Sequence, residues 1–200
     1  MFKGLKRLVK LIILVLGIYV AIQAVMMLFP LKYEDAVERN AQANNLEKSL
    51  VYGIINAESR FDKDAVSKRG AVGLMQVKED TALWCAEKME HMCSGEPDLK
   101  NPETNIEIGT WYFSYLKHEL GTQELAIIAY NAGISHVKEW LEEGLIDEKV
   151  SSPDNIPFEE TRKYIKKVKI YTGIYRVINK AKDILPVVKD LGGIYEKLKI

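Results

Sequence analysis

The sequence predicts an all-α protein, and three observations support this class. Beyond Pro30 the apolar residues recur at helical spacing. No alternating run of β-branched residues is long enough to indicate a sheet. Helix start and stop signals are also present, the clearest being Asn101-Pro102 before one segment and Gly121 after it. We therefore expect helices joined by polar loops.

The predicted helices follow one another along the chain with short breaks. Their expected bounds are 33–43, 46–59, 80–89, 102–120, 124–131, 134–143 and a long helix from residue 159. One predicted loop spans residues 61–73, where Asp, Ser and Gly accumulate, and another spans residues 151–155. The chain contains no internal repeat.

An uncharged apolar run precedes this helical region. Residues 11–29 would span about 28 Å as a helix, close to the hydrocarbon thickness of a bilayer. A cleaved signal peptide is the alternative, although its apolar region is usually only about 7 to 15 residues long. The four basic side chains of residues 1–10 predict a cytoplasmic stub. We therefore expect a single-pass membrane protein with residues 11–29 as anchor and the remainder on the extracytoplasmic face.

Charged residues are unevenly distributed, although 28 basic and 28 acidic residues cancel. Residues 11–161 carry 13 basic and 25 acidic side chains. A nucleic-acid groove needs a basic stripe that displaces phosphate counterions, so we expect no nucleic-acid partner for this region. The sequence points to no particular protein partner.

The end of the chain is basic. Residues 162–200 carry eleven basic and three acidic side chains. Residues 176–200 predict a basic amphipathic tail of one or two helices, interrupted at Pro186 and at Gly192-Gly193. Such a tail either packs loosely on the domain or lies on anionic lipid or wall polymer.

The two cysteines, Cys85 and Cys93, are compatible with a disulfide in an exported protein. On one continuous helix their Cα atoms would lie about 12 Å apart, beyond the roughly 7 Å limit for a bonded pair. A disulfide therefore requires the helix to end between them, and it stays an open possibility. His91 lies between the two, but three such ligands without a fourth do not make a metal site. We expect no metal and no other cofactor.

Glu58 continues an apolar stripe. It follows Val51 by seven residues and Ile54 by four, so the three side chains share one face of a helix. Desolvation disfavours a charged carboxylate and raises its pKa, which suits a general acid. The structural alternative is that Glu58 reaches solvent at the helix end, or pairs with Arg60 or Arg69.

Five motifs occur in one order along the chain. They are Glu58-Ser59, then Gly70-Ala71-Val72-Gly73-Leu74-Met75-Gln76 preceded by Ala65 and Ser67, then Asn105-Ile106 with Gly109, then Ala129-Tyr130-Asn131-Ala132-Gly133, then Ile156-Pro157 with Glu160-Thr161-Arg162 and Tyr164. This order resembles the catalytic domain of soluble lytic transglycosylases, in the goose-type lysozyme-like superfamily, over about residues 44–175. The resemblance implies a lysozyme-like helical domain, which we place at residues 31–175. It also implies a groove that binds peptidoglycan glycan strands.

The resemblance implies one catalytic acid, Glu58. It also implies substrate contacts for five groove residues: Ser67, Gln76, Tyr130, Asn131 and Glu160. Structural alternatives exist for several of them. Ser67 and Gln76 can belong to the loop alone, Asn131 can cap a turn, and Glu160 is favoured at a helix start by the helix dipole.

Glycoside hydrolysis ordinarily uses two carboxyl groups. The nearest candidates for a second, Asp62 and Asp64, lie in a predicted loop and match no catalytic position of the family. The resemblance implies a lytic transglycosylase, which leaves a 1,6-anhydromuramyl end and needs one carboxylate. The alternatives are a hydrolytic muramidase on the same fold and a non-catalytic glycan-binding membrane anchor. Lys78 stands where the family usually has an apolar residue, which leaves the shape of that subsite open.

Overall fold

The computed structural model describes residues 2–89 and 97–197 and divides into two compact units, Met1–Lys32 and Tyr33–Ile200. The first unit contains helix α1 (Phe2–Leu28), on which large apolar side chains such as Leu14 and Met26 are exposed. Among the helices formed by the described residues, none is both long and apolar enough to cross a membrane.

The described part of the second unit is mainly helical. Its helices are α2 (Glu34–Ala43), α3 (Lys48–Glu58), α4 (Glu79–Lys88), α5 (Pro102–Leu120), α6 (Gln123–Ala132), α7 (Ile134–Glu142) and α8 (Glu159–Lys197), with a 3₁₀ turn at Pro153–Asn155. The predicted helical class is confirmed. The side chain of Asn101 caps α5 by accepting from the backbone N–H groups of Glu103 and Thr104, and Gly121 follows its last residue.

A small antiparallel sheet corrects the expectation of a domain without strands. Strand β1 (Ala71–Val72) pairs with β2 (Val77–Lys78), with Ala71 opposite Lys78 and Val72 opposite Val77. Each strand has two residues, which is too short for an alternating pattern to appear in the sequence. The sheet joins the two ends of the turn formed by residues 73–76.

Helix α8 is continuous from Glu159 to Lys197, so the interruptions expected at Pro186 and Gly192-Gly193 are absent. Proline removes a hydrogen bond from a helix interior. Here the helix is already formed upstream, where it packs extensively on α3, so its continuation past these residues needs no new nucleus. Residues 176–197 are therefore the end of α8.

The packing of α3 on α8 positions the candidate site. A Cβ atom at Gly53 would lie 2.6 Å from Thr172 Oγ1, so the two helices approach closely only because residue 53 is glycine. The rings of Tyr52 and Tyr175 stack with centroids 5.1 Å apart. Asn56 Nδ2 donates a hydrogen bond of 3.2 Å to Tyr175 Oη. These contacts fix the carboxyl end of α3 against one face of α8.

Candidate active site

Glu58 is the last residue of α3, at the end of the apolar stripe. Val51 and Ile54 on that stripe are buried, with exposed fractions of 0% and 1%. Burial raises the pKa of Glu58 to about 7, as the stripe predicts. The carboxyl group can therefore exchange a proton near neutral pH.

Three side chains of α8 modify this pKa. The hydroxyl of Tyr164 lies close enough to the Glu58 carboxyl group to lower its pKa, although the two fall outside strict hydrogen-bond geometry. The positive charge of Lys167 also lowers the pKa of Glu58, and the negative charge of Glu160 raises it. Burial has the largest effect, so the pKa stays raised.

One cavity of about 470 Å³ brings together all six residues selected from the sequence. They are Glu58, Ser67, Gln76, Tyr130, Asn131 and Glu160. Lys78, at the end of β2, also lines this cavity. A second cavity, of about 550 Å³, shares Arg69, Asn131 and Glu160 with the first. The two cavities therefore form a groove that continues past these shared residues.

Two polar residues hold the turn formed by residues 73–76. Asn105 Oδ1 accepts from Met75 N at 2.7 Å, and its Nδ2 donates to the carbonyl oxygens of Val72 and Leu99, both at 2.9 Å. Ser59 Oγ donates to the carbonyl oxygen of Leu74 at 2.8 Å. The sequence interpretation assigned neither residue a role, although both belong to the five motifs.

Gly73 is required by the same arrangement. Its φ of 79° lies in the left-handed region, which glycine adopts without a steric penalty. A Cβ atom at this position would also lie 2.3 Å from Asn105 Nδ2 and 2.4 Å from the Leu99 carbonyl oxygen. The glycine therefore allows Asn105 to reach the backbone of the turn.

Ser67 and Gln76 both hydrogen-bond within their own loop. Ser67 Oγ accepts from the backbone N–H of Ala71 at 2.9 Å. Gln76 Nε2 donates to the carbonyl oxygens of Ala65 and Gly73, at 3.1 and 3.0 Å. Each side chain thus shapes the loop and also lines the cavity. The side-chain carbonyl of Gln76 takes no part in these two bonds.

The remaining predicted groove residues connect different elements. Tyr130 Oη donates to the carbonyl oxygen of Met75 at 2.9 Å, which joins α6 to the turn. Asn131 Oδ1 accepts from Thr161 Oγ1 at 2.7 Å. Glu160 forms an exposed ion pair with Arg69, at 3.7 Å.

The contacts of the two aspartates nearest to Glu58 in sequence do not support a catalytic role for either of them. Asp64 is exposed and pairs with Lys63 at 3.0 Å, and Asp62 Oδ1 accepts from the backbone N–H of Asp64 at 3.0 Å. Neither is among the residues that line the cavity, whereas Glu160 supplies it with a second carboxyl group.

Cys85 is buried on α4, and burial raises the pKa of its thiol to about 12. Cys93 and His91 lie outside the described residues. The Cys85–Cys93 disulfide therefore stays a prediction.

Comparisons with known proteins agree with this fold and cavity. Residues 35–149 match the family described as the transglycosylase SLT domain. The soluble lytic murein transglycosylase of Salmonella typhimurium is 39% identical over 153 residues, which cover 74% of this chain and 23% of that protein. The membrane-bound lytic murein transglycosylase C of Haemophilus ducreyi is 36% identical over 120 residues, or 53% of this chain and 32% of that protein.

A solved structure of a related protein is similar to this chain in fold as well. The complex of the 70 kDa soluble lytic transglycosylase with bulgecin A superposes with a TM-score of 0.70 at 36% identity, covering 75% of this chain and 25% of that one. The chain therefore belongs to the transglycosylase SLT domain family of the lysozyme-like superfamily, which confirms the resemblance seen in its sequence. It spans about a quarter of the length of the soluble relatives that it matches.

Proposed function

We propose that this protein is a peptidoglycan lytic transglycosylase. It cleaves the β-1,4 bond between N-acetylmuramic acid and N-acetylglucosamine and leaves a 1,6-anhydromuramyl end. One observation carries the proposal: Glu58, with a pKa raised to about 7, lies in a cavity that is lined by residues of four of the five family motifs. Membership of the SLT domain family supports the same activity.

In the first step Glu58 acts as a general acid. Its proton passes to the glycosidic oxygen as the bond from that oxygen to the muramyl anomeric carbon breaks. The muramyl N-acetyl group supports the positive charge that develops at that carbon, as in the substrate-assisted exceptions to the two-carboxylate rule. A pKa near 7 keeps a useful fraction of Glu58 protonated at neutral pH.

In the second step the same residue acts as a base. Ionised Glu58 takes the proton of the muramyl 6-hydroxyl group as its oxygen bonds to the anomeric carbon. The 1,6-anhydro ring closes, no water is consumed, and Glu58 returns to its protonated form. A group that serves as acid and then as base works best with a pKa close to the working pH.

The groove residues bind the sugars on either side of this bond. We assign substrate contacts to five of them: Ser67, Gln76, Tyr130, Asn131 and Glu160. Most of these side chains are held in place before substrate arrives by hydrogen bonds to backbone groups or, for Asn131, to Thr161, which reduces the entropy lost on binding.

Glu160 supports a second candidate function, hydrolysis, because it brings another carboxyl group to the cavity. As a base it would activate a water molecule, and the product would be a reducing muramyl end. Its ion pair with Arg69 and its exposure favour a binding role instead.

Product analysis separates the two functions. Purified peptidoglycan is digested with the full chain in mild detergent, and the soluble fragments are analysed by mass spectrometry. Anhydromuropeptides are expected from the wild-type chain and not from the Glu58→Gln variant. Reducing muramyl ends would establish hydrolysis, and an absence of any cleavage would refute both functions.

We also propose that residues 11–29 anchor the protein in the cell membrane, with residues 1–10 in the cytoplasm. The absence of charge in this run and the basic residues before it support the proposal, and the Haemophilus ducreyi relative is itself named membrane-bound. Residues 31–175 then act on the extracytoplasmic face, followed by the basic tail 176–200. We expect the protein to stay in the membrane fraction after an alkaline carbonate wash. We also expect protease added from outside to cleave the domain. Release by the wash would refute the anchor.

A further inference from the structure

Four aromatic side chains cluster where α4 packs on α5. This aromatic platform consists of Trp84, Trp111, Tyr112 and Tyr115. The ring of Trp84 contacts the other three, with centroids 5.7, 6.3 and 4.8 Å away in that order. Trp111 and Tyr115 stack almost in parallel, at 5.9 Å and 7°. All four side chains are partly exposed, so the cluster is also a surface.

The platform is continuous with the catalytic cavity. Tyr112 belongs to both, because it lines the cavity beside Glu58 and contacts Tyr130, with ring centroids 5.7 Å apart. Thr81, one helical turn before Trp84 on α4, lines the cavity as well. The platform therefore begins at the wall of the cavity and extends along α4 and α5.

The chemistry of the platform matches a glycan. One face of a pyranose ring carries several C–H groups, which pack favourably on the electron-rich face of an aromatic ring. A glycan strand is a polymer, so it extends past the ends of a cavity of about 470 Å³. The partly exposed aromatic rings that adjoin the cavity offer apolar surface for the next sugars of the strand.

We propose that the aromatic platform is an additional sugar-binding subsite, which holds the glycan strand beyond the residues that flank the cleaved bond. This inference rests on the proposed function. It adds a dependence on strand length, because a short fragment fills the cavity without reaching Trp84, Trp111 and Tyr115, the three platform residues that do not line it.

Tryptophan fluorescence tests the platform directly. The chain has three tryptophans, and the third, Trp140 on α7, is 4% exposed and packs edge-on against Phe158 at 5.0 Å. A Glu58→Gln, Trp140→Phe full chain in mild detergent therefore reports on Trp84 and Trp111 alone, without turnover. It is titrated with alternating N-acetylglucosamine and N-acetylmuramic acid oligomers of two and eight sugars, and calorimetry measures binding in parallel.

The octasaccharide is expected to change the tryptophan emission, and the disaccharide is expected to leave it unchanged. Binding of the octasaccharide without any change in emission would refute the platform and leave the proposed function intact. Failure to bind either oligomer, together with failure of the wild-type chain to cleave peptidoglycan, would refute the proposed function as well.

A kinetic comparison gives a second measurement. Trp111→Leu removes one stacking surface at the rim, and we expect kcat/KM for the octasaccharide to fall about tenfold. The same variant is expected to leave kcat/KM for a tetrasaccharide unchanged. Trp140→Phe is the matched control and leaves both values unchanged. An equal fall for both substrates would show that Trp111 acts only through the stability of the fold and would overturn the proposal.

Discussion

Lys167 donates a hydrogen bond from Nζ to the carbonyl oxygen of Ala57, 2.5 Å away. Ala57 immediately precedes Glu58 in the last turn of α3, where carbonyl groups lack helical partners. The backbone thus holds the ammonium group beside Glu58, and its charge lowers the pKa of Glu58 against the larger effect of burial. The protonation of Glu58 therefore depends on α8 as well as on its own helix.

Replacing Lys167 with methionine should move the pH profile of the enzyme. Loss of the positive charge raises the pKa of Glu58 further, because the carboxylate loses a stabilising partner. Glu58 then stays protonated to higher pH, and the alkaline limb of kcat/KM shifts upward. Lys167→Arg keeps the charge and should keep the limb in place. A fall in Tm with an unmoved limb would mean that Lys167 acts on the fold alone.

Glu58→Gln should abolish most of the activity. The amide occupies the same volume but cannot transfer a proton, and positioned acid–base groups contribute about 10²- to 10⁴-fold to a rate. Release of soluble muropeptides from purified peptidoglycan measures the loss. Asp62→Asn and Asp64→Asn are the controls and should retain wild-type rates. Full activity of the Glu58→Gln chain would exclude Glu58 from the mechanism.

The same variant should be more stable than the wild type at alkaline pH. The pKa of Glu58 is about 7 in the folded state and about 4.3 in an unfolded chain, so the folded state binds more protons between these values. Wild-type stability therefore falls as pH rises through this window, by up to about 4 kcal/mol. The Glu58→Gln chain lacks this loss. Urea denaturation of both chains at pH 5 and pH 8 measures their free energies of unfolding. If the free energies of the two chains differed by the same amount at both pH values, the raised pKa would be contradicted.

Asn105→Ala should weaken both the fold and the activity. It removes three hydrogen bonds to the backbone and leaves the buried Met75 N–H without its acceptor, which costs about 3 kcal/mol. The turn that carries Gln76 then loses its position beside Glu58. Thermal unfolding and muropeptide release are measured together, with Lys117→Ala on the same helix as the control. If the Asn105→Ala variant had the activity of the wild type at a temperature where it is folded, the turn would keep its position without Asn105.

The sequence alone predicted the features that depend on local spacing. The apolar stripe from Val51 to Glu58 predicted the raised pKa of Glu58, because helical periodicity is defined within a few residues. The order of the motifs gave six residues that the structure places around one cavity. The length of α8 was not predicted, because proline and glycine normally mark helix ends, whereas the helix continues through Pro186 and Gly192-Gly193.

Features that join distant segments were also missed. Tyr164 and Lys167 reach Glu58 from a helix about 100 residues further along the chain, and periodicity on α8 does not indicate which face meets α3. The aromatic platform has the same origin, since Trp84 and Trp111 come from two helices and meet only when α4 packs on α5.

Asn105 bonds to the backbone of Val72 and Met75, about 30 residues earlier in the chain, and to that of Leu99. These contacts affect how a mutational scan of the protein would be interpreted. Selection for wall cleavage alone would rank position 105 beside position 58 as intolerant of substitution. A parallel selection for protein abundance would separate them. Substitutions at position 105 deplete the folded protein, whereas glutamine at position 58 preserves or increases its amount. A catalytic group and a scaffold group are thus distinguished by the abundance of the inactive variant.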